Sequence, residues 1–150
     1  MRGRGLLTWL SVAALALTGA HAGLGGIKSA GEPVAVATAK PLFAGVSITP
    51  GESVVRTARV GNAGDAAGHF VLSATAAGEL ARELRLEVSD RSGRIVYRGS
   101  LLGLEVATLG VLAPGQVEDV RIAVGLPAGA SNHVAGGVAE ASFAWSTTRA

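Results

Sequence analysis

The sequence predicts an all-β chain folded as an antiparallel two-sheet β-sandwich, jelly-roll-like or Ig-like, with about seven to nine strands. Three observations carry that prediction. Apolar and polar residues alternate with period two over several short segments, as a strand requires when one face packs and the other meets water. Turn formers rich in Gly, Pro, Asn and Asp punctuate the chain at intervals of roughly 8 to 15 residues, the spacing of short strands. No helical period runs far enough to make a helix of ordinary length.

The first residues carry a different signal. Met1 is followed by Arg2 and Arg4, by an apolar run from Leu6 to Leu17, and then by Thr18-Gly19-Ala20-His21-Ala22. Basic, apolar and small residues in that order form a secretory signal peptide over residues 1–22, with Ala20-x-Ala22 as the cleavage motif. The apolar run is about twelve residues, short of the roughly 20 that cross a bilayer, so a retained anchor is not expected. The chain has no cysteine to acylate. The mature protein is therefore expected to be secreted, extracellular or associated with the cell surface, with no membrane span.

Residues 23–40 read as a flexible N-terminal segment, since four of the nine residues from Gly23 to Gly31 are glycine and they show no apolar period. Glu32 to Ala39 then becomes strand-like, with Val34 and Val36 on one parity. That short stretch is either an assembly strand that adds to the sheet edge of a neighbouring subunit or an edge strand of its own sandwich. The sandwich domain itself is expected over residues 41–150.

Within that domain, strands are expected over Phe43 to Ile48, Val54 to Val60 and His69 to Thr75. Gly78 to Leu84 breaks the alternation and fits a helical turn, with Leu80 and Leu84 four apart. In Leu84-Arg85-Leu86-Glu87-Val88-Ser89 the apolar residues share one face, and Asp90-Arg91-Ser92-Gly93 supplies a turn. A hairpin with Arg94 to Arg98 follows. After Val106 to Gly110, the run Val120 to Leu126 alternates again. So does the last segment, where Ala139, Ala141, Phe143 and Trp145 oppose Glu140, Ser142 and Ser146. Phe43, Phe70, Phe143 and Trp145 are accordingly expected in the core.

Thr49-Pro50-Gly51-Glu52 and Ala113-Pro114-Gly115-Gln116 each place Pro and Gly as a type II turn prefers. Each then enters a strand. Aligning the two prolines sets Ala58 and Val60 level with Ile122 and Val124, a weak internal repeat that fits equivalent strands in two facing sheets.

Charge narrows the functional classes. Without Arg2 and Arg4, the 13 basic residues fall to 11 against 11 acidic ones, so the mature chain is close to neutral. Its basic residues form no stripe, which argues against a nucleic-acid partner, while near-zero net charge removes a brake on self-association. The core must hold by packing alone, because an exported chain could use disulfides and this one has none.

Catalytic constellations are not legible. A zinc peptidase needs imidazoles in fixed register with a carboxylate base, whereas the mature chain offers only His69 in a strand and His133 in a loop. No Gly-x-Ser-x-Gly elbow is present. The carboxylate pairs Glu79 with Glu83 and Glu118 with Asp119 lack an aromatic platform for a sugar and read as solvated. Asn62 and Asp65 supply two oxygen ligands, well short of the roughly 6 to 8 that calcium takes, and read as turn caps. No metal, cofactor or catalytic residue is expected.

The pieces Pro41-Leu42-Phe43, Thr49-Pro50-Gly51-Glu52-Ser53-Val54, Val60-Gly61-Asn62-Ala63-Gly64-Asp65, Val96 to Leu104, Leu109 to Gly115, Leu126-Pro127-Ala128-Gly129-Ala130 and Phe143-Ala144-Trp145, in that order and spacing, resemble the camelysin and TasA-like family, especially its short exported actinobacterial members. The resemblance implies a jelly-roll-like sandwich, secretion, and a role in extracellular biofilm matrix fibres or in a spore or cell-surface coat, with partners that are other copies or other matrix and surface proteins. Gly23 to Gly31 stands where the founding members carry an aromatic-rich segment. The expectation is a non-enzymatic structural subunit. Its rivals are a monomeric binding module that recognises protein or glycan through its loops, and a secreted metallopeptidase of the camelysin kind.

Overall fold

The alternating segments become strands whose apolar parity is buried. A computed structural model of the chain describes residues 5–13, 33, 35–37, 42–43, 46–130 and 137–150. Among them are ten strands: β1 (Gly5–Ala13), β2 (Ala35–Ala37), β3 (Val46–Ile48), β4 (Ser53–Asn62), β5 (Gly68–Ala77), β6 (Arg85–Ser89), β7 (Ile95–Ser100), β8 (Ala107–Leu112), β9 (Val117–Gly125) and β10 (Val138–Arg149). They form two five-stranded sheets, sheet A in the order β3-β1-β10-β5-β8 and sheet B in the order β2-β4-β9-β6-β7. The fold is an all-β sandwich. The segment from Gly78 contributes a 3-10 turn, Leu80–Arg82, with Leu80 and Ala81 buried.

The count is close to the seven to nine expected: β2 and β3 fall in stretches already expected as strand, and β1 is the addition. Two features differ from the sequence expectation. Sheet A contains one parallel pair, β1 with β10, which the whole intervening chain serves to cross over. Before residue 41, Ala35–Ala37 takes the edge-strand alternative, while Gly5–Ala13 is a strand where the sequence reads as a leader. An apolar run without alternation reads the same whether it belongs to a leader or to an interior strand.

Inward residues follow parity closely. Leu86 and Val88 on β6, Val120, Ile122 and Val124 on β9, and Ala139, Ala141, Phe143 and Trp145 on β10 are buried. Phe43, just ahead of β3, and Phe70 on β5 are also fully buried. Arg56 closes over Phe43, its guanidinium carbon 5.9 Å from the ring centroid, while its Nε donates to the Leu42 carbonyl at 3.1 Å.

The two Pro-Gly turns are near copies. Gly51 and Gly115 have φ of 88° and 74°, the left-handed values that a type II turn demands. The Thr49 N–H donates to Glu52 Oε2 and the Ala113 N–H to Gln116 Oε1, each at 2.9 Å. The strands that follow them are neighbours within sheet B, however, not equivalents in facing sheets. β4 and β9 run antiparallel with Ala58 opposite Val120 and Val60 opposite Glu118. The repeat is a local turn device, and pairing after each turn is set by which edge lies nearby.

Among the described residues Trp145 is the largest fully buried side chain, yet its Nε1 finds no acceptor among them. Its contribution is therefore volume and apolar contact, reduced by the cost of an unpaired indole N–H. Trp145→Ala should destabilise by about 3 to 5 kcal/mol in urea melts. Trp145→Phe, which removes the orphan donor along with part of the volume, should cost less than about 2 kcal/mol. An alanine effect below about 1 kcal/mol, the size usual for surface positions, would contradict the buried placement.

Candidate functional site

Side chains capable of acid-base or metal chemistry are spread over the surface. Among the described residues no group of three or more His, Asp and Glu side chains could hold a metal ion. His69 lies exposed on β5, level with Thr148 on one side and Val111 on the other. His133 lies outside the described residues. Glu79 and Glu83 flank the 3-10 turn and, with Arg82 and Leu102, line an open depression beside the end of β5. Glu118 and Asp119 are adjacent on β9 and so point to opposite faces. Asp119 pairs with Arg59 at 3.0 Å, and Glu118 Oε1 accepts from the Arg91 N–H at 3.3 Å.

Two polar side chains that are buried have clear structural work. Asn62 Nδ2 donates to the carbonyls of Ala66 and Leu112 at 2.8 and 2.9 Å, and Oδ1 accepts from the Gly64 N–H at 3.0 Å. Its backbone also exchanges hydrogen bonds with Gly115 and Gln116. Asn62 thereby ties the end of β4 to the start of β5 and to the β8–β9 turn. Asp90 organises the β6–β7 hairpin: Oδ1 accepts from Ser92 N, Ser92 Oγ and Arg94 N at 2.9, 2.6 and 3.0 Å, and Oδ2 from Arg94 Nε at 2.8 Å. Arg94 Nη2 then reaches the Leu109 carbonyl of β8 at 3.3 Å, joining the edges of the two sheets.

The hydrogen bonds from Ser92, then those from Arg94, hold the Asp90 carboxyl down from 3.8 to about 2. The sequence reads Asn62 as a turn cap and Asp90 to Gly93 as a turn, but not the reach of Asn62 to Leu112 or of Arg94 to Leu109. The Asp-x-Ser-Gly order was the available signal for an Asx turn.

The arrangement with the most chemistry is made of backbone. β1 lies between β3 and β10, with Leu6 level with Ser47 on one side and with Val138 on the other, and Leu7 level with Val46 and Ala139. Among the described pairings β1 is the sole partner of β3. The residues of β1 are the same ones that read as the apolar stretch of a leader. Outward from β10, β5 and β8 stand Ser142, Ser146, Thr148, Ser73, Thr75 and Thr108, with Glu140 and His69 as the titratable residues on that face. The described outward residues of sheet A thus make a nearly uncharged surface.

The expected site residues distribute as follows. Ala20, Ala22 and Val34 lie outside the described residues. Val36 is in β2 with its backbone opposite Gly61, so β2 covers β4 of its own chain. The residues of β2 against the core are Ala35, opposite Asn62, and Ala37, opposite Val60. Ala35 and Ala37 match the row that β4 presents inward, Asn62 and Val60. Phe43, Phe70, Phe143 and Trp145 are core.

Compared with known proteins, the chain matches no family model and no curated sequence. Among the described residues no helix is long and apolar enough to cross a membrane.

The Asp90 geometry gives a pH signature with a definite sign. A carboxyl whose folded value is depressed contributes stability that is complete above its unfolded value, 3.8, and is lost as pH falls through about 2. Asp90→Asn should therefore be less stable than the parent by about 1 to 2 kcal/mol at pH 7. That gap should shrink steadily between about pH 4 and pH 2. Equal stability of the two proteins at pH 7 in denaturant melts would show that the carboxylate cluster adds nothing.

Proposed function

We propose that the chain is a secreted, non-catalytic structural protein, a subunit of an extracellular matrix fibre or of a cell-surface or spore-coat layer, as the camelysin and TasA-like resemblance implies. One observation supports this reading above the others. β1, an interior strand of sheet A, is built from residues 5–13, which fall inside the leader expected over residues 1–22.

Removal of the leader would take that strand away. The side of β10 that pairs with β1 from Val138 to Ala144 would then carry backbone donors and acceptors in need of partners. A strand from a neighbouring copy meets that need, with main-chain hydrogen bonds supplying affinity. Repeated head to tail, such insertion gives a filament rather than a closed dimer. The Ser/Thr face beside it carries little charge to repel a second copy.

The secreted protein tests this directly. It should elute as oligomers in size-exclusion chromatography and show filaments or sheets in negative-stain microscopy. A monomer at all concentrations would reject the subunit and leave a loop-based binding module. Casein cleavage by the pure protein that stops on adding a chelator would overturn the non-catalytic reading.

A further inference from the structure

We infer that β3 is a latch: once the leader is gone, it crosses into the position of β1 and pairs with β10, closing part of the site where a neighbouring strand would enter. This rests on the leader removal of the reading above but not on assembly itself.

Strand directions and parity permit the move. β3 is antiparallel to β1, and β1 is parallel to β10, so β3 and β10 already run antiparallel. Ser47 and Val138 are level across β1 and both point outward, exposed. Val46 and Ala139 are level one residue along, and both pack toward the core. Crossing one strand spacing, about 4.8 Å, therefore needs no change of face and no slip in register.

The driving force is the same backbone that β1 leaves unpaired. With β1 absent, β3 loses its described ladder partner, while Ile48, fully buried with β1 in place, stays on the core-facing parity. Pairing with β10 restores hydrogen bonds on both strands without exposing Ile48. The turn after β3 is anchored on its far side, where the Gly51 N–H donates to the Leu126 carbonyl at 2.7 Å and the Leu126 N–H to the Glu52 carbonyl at 2.9 Å. With φ fixed at Pro50, the backbone change falls at the Ile48–Thr49 junction and costs the Thr49 N–H bond to Glu52 Oε2.

The latch is short. β3 has three residues and would cover β10 only around Val138 and Ala139. Ala141 to Ala144, which β1 also pairs, stay open. An incoming strand can start there and displace β3 progressively, so the latch slows premature pairing without sealing the site.

A cysteine pair reads the position of β3 in a chain that has no cysteine of its own. With β1 in place, Ser47→Cys and Val138→Cys sit two strand spacings apart, about 9 to 10 Å. A disulfide requires Cα atoms within about 7 Å. The double variant is secreted from its full-length gene, its N-terminus is fixed by mass spectrometry, and it is compared with the leader-bearing chain under the same mild oxidation. The expected result is an intramolecular disulfide in the processed protein alone.

Free thiols in the processed protein, only intermolecular cross-links, equal oxidation of both forms, or a leader that is never removed would each overturn the latch. Hydrogen exchange on the unsubstituted secreted monomer gives an independent measure. The β1-facing amides near Val138 and Ala139 should exchange at least about tenfold more slowly than those at Ser142 to Ala144. Uniformly fast exchange along that side of β10 would overturn it as well. The disulfide forming in a protein that never assembles would keep the latch and reject the fibre reading, so the two fail separately. Where filaments do form, the oxidised variant should not make them and reduction should restore them.

Discussion

The ladder between β10 and β5 is the constraint on which sheet A depends. It runs without a register break from Glu140 opposite Ala77 to Arg149 opposite Gly68. Along it Phe143 and Trp145 are set into the core with Ala139 and Ala141 beside them. Small residues beside large ones allow the facing sheet to approach closely, which a chain without disulfides needs in order to reach interior packing density. Because β10 takes a central place in its sheet, between β1 and β5, the core closes only when strands far apart in the sequence have come together. Such non-local pairing is slow to form.

The two outer faces divide the work of solubility and contact. Sheet B carries charge pairs across its strands, Arg59 with Asp119 and Arg98 with Glu87. Their side chains are 40 to 69 % exposed, so solvent screens them and they add little to stability. Their effect is on the surface, since a charged face resists stacking against another sheet. Sheet A presents hydroxyls, alanines and valines instead. On the proposed reading, growth at β10 and contact along sheet A belong to the same side of the molecule, with sheet B turned to water.

Some of the site was legible in advance and some could not be. Asn62 and Asp90 stand in turn-rich stretches, and their types predict local caps. That Asn62 would also reach Leu112, fifty residues away, follows from the β8–β9 turn lying against the end of β4, a matter of sheet order. The β2 segment was read as strand-like with its valines foremost, but alternation marks two parities and does not say which one packs. The choice fell to the row that β4 presents. The role of β1 was hidden for a different reason. An interior strand and the apolar part of a leader make the same demand on composition, so such a stretch reads as either.

What the sequence determined by itself was local: the strand period, the burial of Phe143 and Trp145 on one parity, the left-handed glycines at residues 51, 93 and 115, and the hairpin from Arg85 to Ser100. Each follows from a few neighbouring residues, because backbone sterics and side-chain alternation act over that range. Tertiary structure alone decided which strands became neighbours. It set β4 beside β9 in one sheet, placed β2 on its own chain, and put β3 and β10 on either side of β1. Those pairings depend on which unsatisfied edge and which apolar row come within reach when the chain closes, and residues far apart in the sequence carry no local record of that meeting.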